Sequence, residues 1–269
     1  MELTLSDEKV HLATGGRAHK PDAPYVLFLH GSGQSHLTWV LQSRYFAYDG
    51  FNVIAPDFPG HGLSEGEPLN SVEEMAQWVL ALMDRLEIET AHIIGHSQGG
   101  LVALELGAMA AERVSKMVLI ACAAAIPVNE YLVNASVERP DKAIAMMTGW
   151  GHGARAHKHE NSQPGFSHLG YGRQLMAANH PMALHTDLNA CNAYHGGMQA
   201  AQGLKMPVLV LLAGADKMTP VKFGVQMAQS IADHQLEIVD KAGHMLPSEH
   251  PDAVNRPVLN FLRKQTAIA

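Results

Sequence analysis

The chain has 269 residues, of which 47% are hydrophobic and 17% charged, a composition that suits one large globular domain and excludes a disordered tail or a fibrous protein. Its formal net charge of -7, with no run of like-signed residues, disfavours nucleic acid as a partner because the phosphate backbone would repel such a surface. The longest strongly apolar stretch, residues 117–126, has about half the length of a bilayer-spanning helix, so no membrane span is predicted.

The first half of the chain predicts alternating strands and helices, the pattern of a mostly parallel sheet covered by helices on both faces. Continuous apolar runs at 25–29 and 52–55 predict buried central strands. Across 71–86, apolar residues recur at spacings of three and four behind a capping box of Ser71 and Glu74, which predicts a helix. A strand at 91–94, a helix at 99–111 and a strand at 116–121 follow.

The alternation is interrupted between residues 126 and 202, where histidine, glycine and methionine become frequent. We therefore predict a core made of residues 1–125 and 203–269, with an insertion at 126–202 whose helices form a lid. The part of the insertion from 149 to 172 is expected to be an irregular loop. After the insertion, the pattern predicts a strand at 207–213, a helix at 219–231, a strand at 236–239 and a helix at 251–263.

The pattern G-x-S-x-G occurs twice, around Ser64 and around Ser97, so the pattern alone cannot identify a nucleophile. Ser97 follows a predicted strand and precedes a predicted helix that begins with small residues. This is the context of a nucleophile on a sharp strand-to-helix turn. Ser64 follows no strand and lies among glycines and a proline, which favours a structural role in a loop. Ser97 is therefore the candidate nucleophile.

A serine hydroxyl needs a base within hydrogen-bond reach, and the base needs a third group that fixes its tautomer. His244 follows the last predicted strand and lies at the carboxyl edge of the sheet, where ligand sites of parallel sheets form. The alternative, His250, would begin the next helix. We therefore favour His244 as the base.

An acid is also required, and Asp216 follows a buried predicted strand at the same edge of the sheet. Its competing interpretation is a cap for the helix that follows, and Asp240 and Glu130 remain alternative acids. With Asp216, the order along the chain is Ser, Asp, His, which differs from the orders found in the chymotrypsin and subtilisin folds.

Five short motifs are distributed along the chain: His30-Gly31, the run from Asp57 to Ser64, Gly95-His-Ser97-Gln-Gly99-Gly100, Gly214-Ala-Asp216 and Gly243-His244. Together they resemble the α/β-hydrolase family, and the match spans most of the chain outside the insertion. The resemblance implies an eight-stranded mostly parallel sheet, a lid inserted after the sixth strand, and a Ser-His-Asp serine hydrolase of the carboxylesterase kind.

The resemblance also implies an oxyanion hole formed by two backbone N–H groups, one after the nucleophile and one after the His-Gly of the third strand. These groups correspond to Gln98 and Ser32. The amide of Gly33 is a competing donor if the loop is turned differently. His30 is expected to brace this loop by hydrogen bonding and to take no chemical step.

The histidines of the insertion require a check for a metal site, because His152, His157 and His159 are closely spaced. Apart from Glu160, no carboxylate or cysteine stands at a ligand spacing. We therefore predict no metal, and the proposed chemistry requires no cofactor.

The two cysteines, Cys122 and Cys191, lie among small or apolar residues without a C-x-x-C spacing. They are expected to be reduced structural thiols. The first residues lack the basic start and apolar middle of a secretory signal, which favours a cytoplasmic protein.

Together these features predict a carboxylic-ester hydrolase that cleaves small-molecule esters of short to medium acyl chains through an acyl-enzyme. A serine at position 97 disfavours the dehalogenases and epoxide hydrolases of this fold, which place an aspartate there. The first alternative is a hydrolase of carbon–carbon bonds in ring-fission products, which the chain resembles at residues 30–33, His-Gly-Ser-Gly. Lactonases and cofactor-free perhydrolases are also compatible.

The arginines of the insertion and the complete Ser-Asp-His set help to weigh these alternatives. A carbon–carbon hydrolase would benefit from an arginine that binds a substrate carboxylate, and Arg139, Arg155 and Arg173 lie in the insertion without an evident place at the site. The alternative from another class is a small-molecule receptor that keeps the fold without turnover. The complete Ser-Asp-His set disfavours the receptor.

Overall fold

The computed structural model describes residues 1–158, 160 and 165–264. Its centre is an eight-stranded sheet in the order β1-β2-β4-β3-β5-β6-β7-β8, in which β2 runs antiparallel to both its neighbours and the pairings from β4 to β8 are parallel. The predicted fold class, an eight-stranded mostly parallel sheet flanked by helices, is confirmed. The strands are β1 Glu2–Leu5, β2 Glu8–Ala13, β3 Tyr25–Leu29, β4 Asn52–Pro56, β5 Ala91–His96, β6 Val114–Ile120, β7 Val208–Ala213 and β8 His234–Val239.

Helices connect the strands. In the described part of the chain they are α1 Val40–Tyr48, α2 Val72–Arg85, α3 Gln98–Met109, α4 Glu130–Glu138, α5 Pro140–Gly151, α6 Ala154–His157, α7 His168–Ala177, α8 Ala183–Ala193, α9 Gly197–Gly203, α10 Val221–Ser230, α11 Leu246–Glu249 and α12 Pro251–Arg263. Short 3-10 helices lie at His36–Trp39 and Ala111–Arg113. No helix of the described residues is both long enough and apolar enough to cross a membrane.

The two faces of the sheet bury separate apolar clusters. Successive side chains of a strand point to opposite faces, and in β3 Leu27 and Leu29 belong to one cluster whereas Val26 and Phe28 belong to the other. All four side chains are fully buried. Strands that are buried on both faces read as continuous apolar runs, which is why β3 was predicted at its observed bounds.

Helix α2 shows the same agreement between pattern and structure. The Ser71 hydroxyl accepts a hydrogen bond from the backbone N–H of Glu74, and the Glu74 carboxylate accepts one from the N–H of Asn70. The carboxylate thus reaches one residue beyond the helix cap. The apolar stripe faces the core and is buried at Val72, Met75, Ala76, Val79, Leu82 and Met83.

The expectation of an irregular loop from 149 to 172 is wrong for half of that segment, which is helical. Helix α5 extends to Gly151, α6 occupies Ala154–His157, and α7 begins at His168. The glycines here lower helix propensity and hid the helices from the pattern. Close packing between α7 and α5 explains the glycine at position 172, because a Cβ there would lie 3.0 Å from Cγ2 of Thr148 on α5.

Helices α4 to α9 lie between β6 and β7, and several of them share a small apolar cluster of their own. Its buried members are Leu132, Ala135, Ala143, Met147, Met176, Leu184 and Leu188. The division of the chain into a core and a lid at 126–202 remains a prediction, because a separate small core does not by itself show that the insertion opens and closes.

Candidate active site

Ser97 lies on the turn between β5 and α3, at the carboxyl edge of the sheet. Its backbone has φ +54° and ψ -119°, a strained conformation that non-glycine residues rarely adopt. A Cβ at Gly95 or at Gly99 would lie 2.2 Å from a backbone oxygen, of Gly99 and Leu29 respectively, so only glycine fits at either position. The flanking glycines therefore let strand, turn and helix pack closely enough to hold the serine in this conformation.

The imidazole of His244 lies against the carboxylate of Asp216, with 2.8 Å between Nδ1 and Oδ2, and both side chains are buried. The backbone N–H groups of Met218 and Thr219 donate to the other oxygen of Asp216 at 2.8 and 2.9 Å. Burial raises the pKa of Asp216. His244 and these hydrogen bonds lower that pKa by a larger amount, so the net pKa is below its ordinary value. Asp216 is therefore a carboxylate that can orient His244.

The side chain of Thr219 was not predicted as part of the site. Its hydroxyl oxygen lies 2.8 Å from Oδ2 of Asp216 and 2.9 Å from the carbonyl oxygen of Ala121, so its single proton can serve either acceptor. An aspartate followed three residues later by threonine is typical of a side-chain-to-backbone turn, and this spacing was the available signal.

His96 supports His244 from the other side. The ring centroids of the two histidines are 4.8 Å apart, and Nε2 of His96 donates to the backbone carbonyl oxygen of His244 at 2.9 Å. Burial, and secondarily the neighbouring His244, lowers the pKa of His96 to about 3. His96 is therefore neutral and acts on the position of His244, not on a proton.

The Ser97 hydroxyl and His244 line one cavity of about 130 Å³. Within the described ranges no hydrogen bond joins the two side chains. Catalytic hydrogen bonds of this kind are often long without substrate and tighten when substrate binds. The structure thus brings His244 and Asp216 into direct contact and places Ser97 at the same cavity. The alternatives Asp240 and Glu130 make no hydrogen bond to His244 in the described part of the chain, and His250 does not line this cavity.

The backbone amides of Ser32 and Gln98 donate to no acceptor within the residues that the structure describes. The competing amide, that of Gly33, donates to Oδ2 of Asp187 at 2.7 Å and is thus occupied. Ser32 lines the cavity and Gln98 directly follows Ser97, which also lines it, so these two free N–H groups are suitable candidates for an oxyanion hole.

The side chains of the same two residues are linked. The Ser32 hydroxyl donates to Oε1 of Gln98 at 3.1 Å, and Nε2 of Gln98 donates to the backbone carbonyl oxygen of Asp187 at 3.1 Å. Because α8 carries Asp187, the insertion contacts both segments that supply the candidate oxyanion amides.

His30 braces the loop of residues 30–33, as expected. The backbone N–H of Phe58 donates to its Nε2 at 3.2 Å, which leaves Nδ1 to donate to the carbonyl oxygen of Gly31 at 3.0 Å. Burial, and then the nearby His61, lowers the pKa of His30 to about 4, so the ring is neutral.

A buried ion pair joins the insertion to the core. Asp187 on α8 accepts a hydrogen bond from Nε2 of His61 at 2.9 Å, and Nδ1 of His61 donates to the carbonyl oxygen of Pro59 at 2.9 Å. Burial lowers the pKa of His61, but Asp187, the hydrogen bond to Pro59 and the charge of Asp57 together raise it by more, and the net pKa lies above its ordinary value of 6.5. The pattern contained no signal for this pair, because Asp187 looks like an ordinary polar residue of a helix.

Asn179 makes a second connection between the insertion and the core. Its side-chain amide donates to the carbonyl oxygen of Gly33 at 2.7 Å and accepts from the N–H of Gly62 at 2.9 Å. The next residue, His180, donates its backbone N–H to the carbonyl oxygen of Gly60 at 2.9 Å. The insertion is therefore tied to two loops beside the candidate oxyanion amides.

Ser64, in the second G-x-S-x-G pattern, makes structural contacts. Its hydroxyl donates to the carbonyl oxygen of Asp57 at 2.8 Å and accepts from the backbone N–H of His11 at 2.9 Å. These bonds hold the loop against β2 and use both capacities of the hydroxyl. Ser64 also lies outside the cavity that Ser97 lines.

Two of the three closely spaced histidines that were checked for a metal site bind backbone carbonyls. His152 contacts the carbonyl oxygen of Thr148 at 2.8 Å and His157 that of Gly149 at 2.9 Å, while His159 lies outside the described residues. A metal-like grouping lies elsewhere in the described chain, where ligand atoms of His11, His36 and Asp57 are within 4.8 Å of one another.

The carboxylate of Asp57 is already used by the fold. It accepts hydrogen bonds from the backbone N–H of His36 at 2.6 Å and of Leu63 at 2.9 Å, and Nδ1 of His36 lies within 2.9 Å of both oxygens. These contacts close the turn that follows β4. We therefore assign the grouping to the fold and not to a metal.

Glu249 joins the insertion to the loop that carries His244. Its two carboxylate oxygens accept the backbone N–H of Gly153 at 3.1 and 2.9 Å. Burial raises the pKa of Glu249 to about 7, although the bond from Gly153 and the nearby His244 act in the opposite direction. Because the folded state holds this proton more tightly than the unfolded state, the contribution of Glu249 to stability decreases from about pH 4.5 to about pH 7 and is constant above.

We expect Glu249→Gln to be more stable than the wild type at pH 8 by about 1 to 2 kcal/mol and equally stable at pH 4, because glutamine keeps an acceptor for Gly153 without a buried charge. Urea unfolding at the two pH values measures the difference. Glu237→Gln, on the exposed side of β8, is the control and should show no such pH dependence. An equal loss of stability at both pH values would contradict this account of Glu249.

The chain is similar in sequence and in structure to several known proteins. The profile of the family described as "Alpha/beta hydrolase family" matches residues 26–256. The chain is 28% identical over 266 residues to the dihydrolipoyllysine-residue acetyltransferase component of the acetoin cleaving system of Pseudomonas putida, covering 93% of this chain and 65% of that protein. It therefore spans about two thirds of the length of that relative.

Two other similarities cover nearly the whole of both proteins. The chain is 26% identical over 271 residues to a 2-hydroxy-6-oxononadienedioate/2-hydroxy-6-oxononatrienedioate hydrolase of a Pseudomonas species, with 93% of each chain covered. The solved structure of a thermophilic esterase matches with a TM-score of 0.79 and 26% identity, over 98% of this chain and 96% of that one.

Proposed function

Because this chain belongs to the alpha/beta hydrolase family, we propose that it is a carboxylic-ester hydrolase that uses Ser97, His244 and Asp216. The observation that carries the proposal is the contact of 2.8 Å between His244 and Asp216 beside a cavity that Ser97 also lines. With Nδ1 of His244 donating to Asp216, Nε2 of His244 is left with its lone pair free. It is therefore the atom that can accept a proton.

Acylation begins when Oγ of Ser97 attacks the acyl carbon of the ester while Nε2 of His244 takes the hydroxyl proton. The carbonyl oxygen becomes an oxyanion, which the backbone N–H groups of Ser32 and Gln98 bind. The tetrahedral intermediate then collapses, the bond to the alcohol breaks, and His244 returns the proton to the leaving alkoxide. Asp216 stabilises the imidazolium during these steps.

Deacylation repeats the sequence with water. His244 removes a proton from a water molecule, the hydroxide adds to the acyl carbon, and the same amides bind the oxyanion. Collapse of this intermediate breaks the bond to Ser97, which takes the proton back from His244, and the carboxylic acid leaves. No step requires a metal or a cofactor.

A second candidate is the hydrolysis of a carbon–carbon bond in a ring-fission product. It is favoured by the relative from a Pseudomonas species that is named as such a hydrolase and matches across both chains. The esterase whose structure also matches supports the first candidate to a similar degree. The two reactions can share one set of Ser, His and Asp, so the substrate must decide between them.

The deciding experiment offers the purified protein 4-nitrophenyl esters from acetate to palmitate beside a ring-fission dienoate. We expect turnover of the short and medium esters with an initial burst of 4-nitrophenolate, since the acyl-enzyme accumulates before water releases it. Consumption of the dienoate alone would establish the second candidate. If the folded protein hydrolyses neither class of substrate, the proposed function is wrong, and a small-molecule receptor without turnover is favoured instead.

A further inference from the structure

The cavity at Ser97 has an unequal distribution of charge. Of the acidic and basic side chains in the described ranges, only that of Lys217 lines it, apart from the histidines of the site. Carboxylates are absent from the described lining, although the chain as a whole carries a net charge of -7. The charge at the cavity is thus positive, whereas the net charge of the protein is negative.

The ammonium group of Lys217 is available for a ligand. The side chain is exposed, and within the part of the chain that the structure describes it forms no ion pair and no hydrogen bond. The backbone of this residue is held, because it lies in the turn in which Asp216 binds the N–H groups of Met218 and Thr219. The cation is therefore attached to the same turn that positions the acid of the site.

Two carboxamides add hydrogen-bond donors to the same cavity. Gln34 is 4% exposed, and its Oε1 accepts the hydroxyl of Thr38 at 3.1 Å. The Oδ1 of Asn129 accepts the backbone N–H of Leu132 at 2.9 Å. In each case the oxygen is used within the protein, and the NH₂ group has no acceptor among the described residues. Asn129 is exposed, and both NH₂ groups are therefore free to donate to a ligand in the cavity.

The arginines of the insertion do not supply this charge. Arg139, Arg155 and Arg173 are exposed, and none of them lines the cavity at Ser97. The positive charge at the site thus comes from the loop after β7, immediately after the acid of the site.

We propose that the cavity selects esters whose acyl group ends in a carboxylate, with Lys217 as the counter-ion and the NH₂ groups of Gln34 and Asn129 as further donors. One ammonium group balances one carboxylate, and amide donors are satisfied by its oxygens. The inference rests on the proposed function, since it names the substrate class of the same site. It makes Lys217 a specificity-determining residue and gives it no chemical step.

The test compares mono(4-nitrophenyl) adipate with 4-nitrophenyl hexanoate, which share the length of the acyl chain and differ in the terminal carboxylate. The measured quantity is the ratio of kcat/KM for the anionic ester to that for the neutral one. We expect Lys217→Met to lower this ratio by about tenfold, the size of effect typical of a hydrogen-bonded ion pair. Lys217→Glu should lower it further, because a like charge repels the substrate.

Lys205→Met is the matched control. Lys205 is an exposed lysine that precedes β7, at the opposite edge of the sheet from the site, and the same substitution there should change the ratio by less than about twofold. Added salt is expected to lower the ratio in the wild type and to have little effect in Lys217→Met, because ions screen the pair. A ratio that is equal in the wild type and Lys217→Met would overturn the inference.

A binding measurement separates this inference from the proposed function. Calorimetry with Ser97→Ala compares monomethyl adipate, which has one carboxylate, with dimethyl adipate, which has none. We expect the half ester to bind more tightly, and the difference to be lost in the double variant Ser97→Ala, Lys217→Met. If the wild type hydrolyses no ester but this difference is observed, the proposed function fails and the anion site stands. If esters are hydrolysed and the difference is absent, the anion site fails alone.

Discussion

Replacing Ser97 by alanine is expected to lower kcat for ester hydrolysis by about 10⁴-fold or more, because a triad without its nucleophile retains only the contribution of binding and of the oxyanion hole. The fold should persist, since the hydroxyl makes no hydrogen bond within the described residues and its removal leaves no buried group unpaired. Steady-state hydrolysis of 4-nitrophenyl butyrate measures the effect, and circular dichroism verifies the fold.

The chain provides an internal control in its second G-x-S-x-G pattern. Ser64→Ala removes the bonds to the Asp57 carbonyl and from the His11 amide, so it should lower stability while leaving kcat per folded molecule within about twofold of the wild type. Substantial activity in Ser97→Ala, or an equal loss in both variants, would show that residue 97 is not the nucleophile.

Asp187→Ala is expected to lower the free energy of unfolding by about 3 to 5 kcal/mol, the usual effect of breaking a buried ion pair from one side. The substitution leaves the imidazole of His61 and the backbone N–H of Gly33 without their acceptor. Because both lie beside the candidate oxyanion amides, kcat should fall as well. Urea unfolding and hydrolysis of the same ester measure the two effects.

Asp187→Asn tests the contribution of charge, since asparagine has the same shape and keeps one acceptor oxygen. The pKa of His61 in the folded protein is raised above 6.5, so the stability that the pair contributes is fully present below about pH 6.5. That stability is lost as the pH rises through the raised pKa. The wild type should therefore exceed Asp187→Asn in stability more clearly at about pH 5.5 than at about pH 8, and a difference that is equal at the two pH values would contradict the ion pair.

The parts of the fold that sequence predicted are those where one local pattern decides the structure. Strand β3 is apolar at every position because both of its faces are covered, and α12 begins at Pro251, a residue that favours the first turn of a helix. The hairpin of β1 and β2 was not predicted. Its strands are short and only partly buried, so their pattern resembles that of many loops.

In the candidate site too, some residues could be predicted from a local sequence pattern and others could not. Ser97, Asp216 and His244 each follow a strand at one edge of a parallel sheet, a rule that sequence alone can apply. The contact of Thr219 with Asp216 is local, and the spacing of three residues was its only signal. The contacts of Asp187 join segments that are distant in the chain, and no sequence pattern indicates them. The contact of Lys217 with the cavity likewise depends on where the insertion packs.

We propose that Ser97 alone carries the acyl group, and covalent labelling tests this most directly. A fluorophosphonate reacts with an activated serine hydroxyl and remains attached, so the modified peptide can be located by mass spectrometry. We predict one label per chain, on Ser97, with loss of activity in proportion to labelling and protection by 4-nitrophenyl butyrate. An active protein that is labelled at Ser64, or that stays active with Ser97 fully labelled, would contradict the account.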